Sequence, residues 1–269
     1  MHGSPMRTIF THWSPVQELP GFRHGGFASR SGFVSALDKA RRQAVSALRS
    51  RTTLHTDQAG LRYLSDASPA FDTTTPTLDA LDGEDARLFA RGKFAALAGH
   101  DEGVWHVDAD LFFETAPPVE VWEADAVAAY LEIAGDYDQT YKTLLRKMQS
   151  MSIETPIEWK PAIAEGRAFN CGVLGFNNPE AKSLYLQMVN RVIQRVLGNA
   201  AFTLLLENDP IRVMCGVEQL TLGSLPEHGF DVYCLNPPST PCPTPRMIAR
   251  RQACVQHWLG RPKRCEMSP

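Results

Sequence analysis

Short apolar or β-branched runs recur along this chain, each separated from the next by enough residues for a helix. This alternation constrains the fold more than any other feature. The runs are RTIFTHW (7–13), TTLHT (52–56), VWHV (104–107), CGVLGF (171–176) and FDVYCLNP (230–237). Runs of this kind suit strands buried on both faces, the usual state of a parallel sheet. Helical spacing fills the intervals. Residues 33–50 carry an apolar face of Val34, Leu37, Ala40, Val45 and Leu48, Asp57 opens QAGLRYL, and helices are predicted over 87–98, 136–150 and 179–197, with Pro179 in a first turn that tolerates it. The prediction is an α/β fold with a mostly parallel central sheet and helices on both faces. By composition 72–85 is a loop, 151–168 is irregular, and PPSTPCPTP (237–245) is a surface loop, whereas 125–133 contains either a strand or a helix and 211–225 begins a further strand or helix pair. With no repeat or linker, residues 6–269 are expected to form one domain, and MHGSP at 1–5 reads as an artificial remnant ahead of a natural start at Met6.

Bulk composition narrows the function classes. A chain of 269 residues with 43% hydrophobic and 21% charged residues can bury a substantial core. A formal charge of −3 argues against nucleic acid as the main partner. No apolar run reaches the roughly 18 residues of a transmembrane helix, and no basic start precedes an apolar stretch, so a cytoplasmic protein is expected. The six cysteines (171, 215, 234, 242, 254 and 265) form no CxxC pair, which favours free thiols over a zinc site.

Chemistry concentrates in two places. VWHVDADLFF (104–113) sets Asp108 and Asp110 directly after a strand, among residues bound for the core. Charges seldom go there unless something is paired with them. In extended backbone the two side chains point the same way and can converge on one cation, at the carboxyl end of a strand, where open α/β sheets bind ligands. A bare DxD is more often a turn or helix cap. At the far end HWLGRPK (257–263) reads HxxGxxK. His257 is a suitable third metal ligand, Gly260 admits close approach of a phosphate, and Lys263 supplies a charge for a diphosphate. The glycine-rich basic loop GFRHGGFASRSG (21–32) has neither GxGxxG nor GK[ST] spacing and is weak as a phosphate motif.

Taken together, the chain resembles nucleotide-sugar glycosyltransferases of the GT-A fold, a Rossmann-like single domain. It is most similar to the retaining enzymes related to glycogenin and to the lipooligosaccharide galactosyltransferases. Four blocks carry the resemblance in order: VDADLFF, FNCGVLGFN (169–177), VEQLTLGSL (217–225) and HWLGRPK. The resemblance implies Asp108, Asp110 and His257 as ligands of Mn²⁺, with Mg²⁺ as the alternative, and Asp108 also on the ribose. It further implies Asn170 on the donor sugar, Glu218 and Gln219 on its reacting face, and Gly260 and Lys263 on the diphosphate. Arg91 or Lys93 becomes the donor-side cation. Thr11, His12 and Asp57 end the first two strands, where such enzymes hold the nucleobase; His12 reads equally well as a core histidine. The sequence departs from the family at Cys171, where alanine or serine is usual, at Glu218, where aspartate is commoner, and at Arg264, where proline is frequent. Residues 134–168, the acceptor region, match nothing in the family.

The implied reaction moves a hexose from a nucleoside-diphosphate sugar, a UDP-sugar first, to an acceptor that the sequence does not specify. Gln219 is a poor nucleophile, so attack on the front face assisted by the leaving phosphate, with retention, is expected over a covalent intermediate. Two rivals stand beside this reading. Haloacid-dehalogenase-like phosphatases also carry DxD after a buried strand, which would make Asp108 a nucleophile, but there the motif follows the first strand. The other rival is a nucleotide-sugar-binding GT-A module without activity.

Overall fold

Neighbouring residues of the central strands enter different cores. Ile9, Val104, Ala126, Leu174 and Phe176 join one cluster of buried side chains, while Phe10, Trp105, Val127 and Val173 join another. Successive strand residues point to opposite faces, so a sheet with a core on each side must be covered on both, as expected from the continuous apolar runs.

The computed structural model describes residues 6–65, 69–132, 138–236 and 254–257. Its main sheet has seven strands: β1 (Arg7–His12), β2 (Arg51–Thr56), β3 (Thr73–Thr75), β4 (Val104–Val107), β6 (Ala126–Ala128), β7 (Val173–Phe176) and β8 (Val232–Cys234). They lie in the order β3-β2-β1-β4-β7-β6-β8. Only β7 runs antiparallel to its neighbours. A second, two-stranded sheet pairs β5 (Leu111–Phe113) with β9 (Val255–His257), close to the C-terminus.

The first core lies under α3 (Arg91–Ala98), α4 (Asp138–Ser150) and α6 (Pro179–Gly198), and the second under α1 (Arg30–Leu48). α1 starts earlier than the periodicity predicts because the Ser29 side chain accepts a hydrogen bond from Gly32 N, an N-cap. Its inward face uses Ala44, and Val45 is exposed. α2 (Gln58–Leu64) begins at Asp57 as expected, through the bond from Gly60 N to Asp57 Oδ1.

Several stretches differ from the sequence expectation. The 72–85 loop contains the edge strand β3, held by backbone pairing to β2 that a polar TTT run does not advertise. The helix expected from 87 begins at Arg91, because the Asp85 carboxylate accepts from the Arg87 backbone N–H and guanidinium and ties that segment into a turn. Residues 125–133 hold a strand, β6, and 211–223 are helical: α8 (Pro210–Cys215) runs through a π-turn, Gly216–Leu220, into a last turn, Thr221–Gly223. The irregular 151–168 segment includes the short α5 (Lys160–Ala164). α7 (Ala200–Asn208) follows α6 after the capping residue Asn199. The 1–5 segment and the 237–245 loop lie outside the described residues.

One close approach fixes a residue type. Gly175 of β7 sits opposite Trp105 of β4, and a Cβ there would lie 2.7–2.8 Å from the indole ring. The Trp105 indole also stacks on Trp122, with centroids 5.0 Å apart.

Candidate active site

Three parallel strands, β1, β2 and β4, end on the same edge of the sheet and deliver Thr11, His12, Asp57 and Asp108 there. β7 runs the other way, so the residues that precede it arrive at that edge too: Asp108 N donates to Gly172 O at 2.8 Å. The 169–172 block therefore meets the DxD turn. The π-turn brings Glu218 and Gln219 to the same place, with Phe169 N donating to Gln219 O. π-turns inside helices are frequent at functional sites.

A cleft of about 260 Å³ opens at this edge. Thr11, His12, Lys93, Asp108, Asp110 and Glu218 line its polar half, and Trp13, Phe22, Phe27, Phe33 and Phe89 its aromatic half. The glycine-rich loop contributes walls to this cleft: Phe22 packs against Phe89 with centroids 4.9 Å apart.

Lys93 is the hub. Its Nζ lies 3.2 Å from Asp108 Oδ1 and 3.2 Å from Glu218 Oε1, and donates to Cys171 O at 2.9 Å. Burial would push its pKa down; the carboxylates of Asp108 and Glu218 outweigh burial and hold it above the ordinary lysine value, so it stays an ammonium. Arg91 faces elsewhere, its guanidinium bound to Glu84 and Asn190 beside a second cleft at α6. Of the two cations proposed for the donor side, Lys93 is the one that reaches the acids.

Behind the cleft is a buried polar layer. Asn170 Nδ2 donates to Glu132 Oε1 at 2.9 Å and Asn170 Oδ1 accepts from Gly172 N at 3.0 Å. The Tyr141 hydroxyl meets Glu132 Oε2 at 2.6 Å and also contacts Gln219 Oε1. Asn170 and Gln219 are buried and do not line the cleft. Asp57 does not line it either: its carboxylate accepts from Gly60 N and from the Ser14 backbone and hydroxyl.

Two histidines flank the site. His12 stacks on Tyr63 with centroids 5.1 Å apart, and burial lowers its pKa to about 4 against the opposing pull of Asp57. It is both a packed core histidine and part of the cleft wall. His106 is fully buried and held neutral by burial, reinforced by Lys93 and His55; its Nε2 lies 2.9 Å from Thr11 Oγ1.

Glu132, Tyr141, His106 and the aromatic wall are not among the residues singled out from the sequence. The signal that marks Asp108, a polar group inside an apolar run, is present for His106 in VWHV and for Glu132 in AVAAYLEI. Nothing local marks Tyr141, whose role arises from where α4 packs.

For a divalent metal, Asp108 and Asp110 on one turn supply oxygen donors of a suitable kind. The Asp108 side chain keeps 32% of its surface exposed, and the pairing of Leu111 with His257 brings the backbone of the third proposed ligand next to Asp110. Among the described residues no group of three His, Cys, Asp or Glu side chains is arranged to hold a metal ion. Gly260, Lys263 and the His257 side chain lie outside what is described.

Among the described residues no helix is long and apolar enough to cross a membrane. No curated protein matches the chain. Similar solved structures include mouse xyloside xylosyltransferase 1, at 12% identity over 86% of this chain and 85% of that one, with a TM-score of 0.40. The bifunctional glycosyltransferase WbbM matches at 12% identity and TM-score 0.40 over 96% of this chain but only 46% of its own length. The mannosyltransferase Ktr4p of S. cerevisiae, solved with GDP, matches at 10% identity and TM-score 0.40, over 94% of this chain and 80% of that one. Likenesses this distant carry no chemistry to the present chain. A family match covers most of its length, residues 6–228, and on that match the chain belongs to the family of unknown function DUF6734.

Proposed function

We propose that this chain is a metal-dependent glycosyltransferase that moves a hexose from a nucleoside-diphosphate sugar, a UDP-sugar in the first instance, with retention of configuration. One observation carries the proposal. Lys93, Asp108 and Glu218, drawn from three separate parts of the sequence, meet within 3.2 Å contacts on one cleft at the carboxyl edge of the sheet. Two of the three belong to the ordered blocks on which the resemblance rests, and the third was one of its two candidate cations.

In this reading Asp108, Asp110 and His257 would hold a divalent metal, which would supply Lewis-acid chemistry to a departing diphosphate. Lys93 adds a preorganised positive charge whose direction is fixed by two carboxylates and a carbonyl. Glu218, turned toward Lys93, borders the donor sugar. Asn170 and Gln219 act from the polar layer behind, each held by the Glu132–Tyr141 pair. The aromatic wall excludes water and offers stacking faces.

The test is binding and turnover together. UDP with Mn²⁺ is expected to stabilise the protein by about 2.7 kcal/mol at a hundredfold excess over Kd, and Asp110→Ala to abolish the Mn²⁺-dependent part. A panel of nucleotide sugars with Mn²⁺ is expected to release nucleoside diphosphate from one of them. No Mn²⁺-dependent shift with any nucleoside diphosphate sinks the proposal; turnover of a generic phosphoester would favour the phosphatase instead.

A further inference from the structure

His106 has no place in the reading above, yet it is the polar residue buried directly beneath the DxD turn. It stands in β4 between Trp105 and Val107, all three completely or almost completely buried. Its Nε2 is 2.9 Å from the Thr11 hydroxyl. Its Nδ1 lies 3.6 Å from Asp108 Oδ1, the oxygen that Lys93 also approaches, and has no hydrogen-bond partner within normal distance.

For a neutral imidazole this line of groups admits one good arrangement. A lone pair on Nδ1 would face a carboxylate oxygen, an acceptor against an acceptor in a dry site. A proton on Nδ1 faces it favourably and needs only a small tightening to become a charge-assisted hydrogen bond. In the neutral ring Nε2 then carries the lone pair and must accept the Thr11 proton. Thr11 lines the cleft, so its hydroxyl, having given its proton inward, presents only lone pairs to a ligand.

We propose that His106 is a positioning residue: Nδ1–H holds Asp108 Oδ1 in place from below, and Thr11 fixes the tautomer. Thr11 becomes an acceptor that selects a donor group on the bound nucleotide. The role assigned to Asp108 rests on the functional proposal above; the tautomer does not.

Two measurements test this. Long-range ¹H–¹⁵N spectra of histidine-labelled protein, with the His106 signal assigned by its loss in His106→Asn, are expected to show the proton on Nδ1; a proton on Nε2 overturns the inference, with no ligand needed. The second measurement is the Mn²⁺-dependent affinity for UDP in two folded variants. Asparagine places an amide near the Nδ1 position and glutamine near Nε2. His106→Asn is expected to stay within about threefold of the parent, while His106→Gln loses about tenfold, the scale of one charge-assisted bond. Equal affinities for the two variants overturn the positioning role. If the parent itself shows no Mn²⁺-dependent UDP binding, the functional proposal fails, and the ¹⁵N result still decides the relay.

Discussion

Lys93 carries more of this site than any other single side chain, and the way it is buried predicts what its loss would do. A buried ammonium between two carboxylates is costly to assemble and costlier to break, because removing one partner strands the others. Lys93→Met leaves the carboxylates of Asp108 and Glu218 facing the same vacated position. It is expected to destabilise the protein by about 3 kcal/mol in denaturant titrations and to abolish turnover. Adding Glu218→Gln should restore part of the stability and none of the activity, since the two sites share one interaction. His12 makes a second prediction. Its folded pKa of about 4 lies below the ordinary 6.5, so between those values the unfolded chain binds the proton that the folded chain refuses. Stability is therefore full above about pH 6.5 and falls as pH drops toward 4. The depression is worth roughly 3 kcal/mol for His12. His12→Asn should flatten that part of the acid limb, read as the change in unfolding free energy between pH 7 and pH 4.5. An unchanged slope would mean that His12 does not titrate as its burial implies.

At the level of elements, Gly175 makes the sharpest claim. Its missing side chain is the space that the Trp105 indole occupies, and Trp105 is pinned from two other directions, by Trp122 and by the bond from its Nε1 to Asn177 Oδ1 at 3.0 Å. Gly175→Ala must move a fixed ring or bend two paired strands, and is expected to cost about 1–3 kcal/mol, against little or nothing at an exposed glycine such as Gly198, which has no neighbour within 4 Å. Elements like β4 and β7 were legible in the sequence because burial on both faces demands continuous apolar residues. β3 was not, because an edge strand needs only backbone pairing and TTT says nothing of a partner 20 residues earlier. The 125–133 segment was ambiguous for the opposite reason: AVAAYLEI suits any buried element, and its neighbours β7 and β8 decide that it pairs. The π-turn at Gly216–Leu220 is set by tertiary packing, with Gly216 hard against Leu144 and Trp159. Chain order alone could place Glu218 in a block but could not say that it would turn toward Lys93.

Across the whole molecule the candidate site joins the middle of the chain to its C-terminal part through the pairing of β5 with β9, and a buried asparagine just after β8 clamps β9 in place. Asn236 Nδ2 donates to Val255 O at 2.8 Å, and its Oδ1 accepts from Cys254 N at 2.7 Å and Val255 N at 3.1 Å. β9, so held, pairs with β5, placing Val255 opposite Phe113 and burying it in the core that Leu111 and Phe112 share. Glu114 N then donates to Cys254 O at 3.0 Å, which closes the small sheet. The sequence offered HxxGxxK and the DxD as two motifs that belong together, but it contained no hint of the clamp, since an asparagine in FDVYCLNP looks like ordinary turn chemistry. Its consequence is a prediction that separates assembly from catalysis. Asn236→Ala removes three bonds to buried backbone groups and is expected to cost about 2 kcal/mol. Hydrogen exchange should accelerate at Glu114 and Val255 and stay unchanged in β1 and β2, which lie in the other sheet and are not paired with β9 among the described residues. If β9 presents His257 to the metal, Mn²⁺-dependent UDP affinity should fall in the same variant, while UDP affinity measured without metal should hold. A variant that loosens β9 in exchange yet keeps its full Mn²⁺ dependence would remove His257 from the ligand set and leave the two carboxylates to bind metal without it.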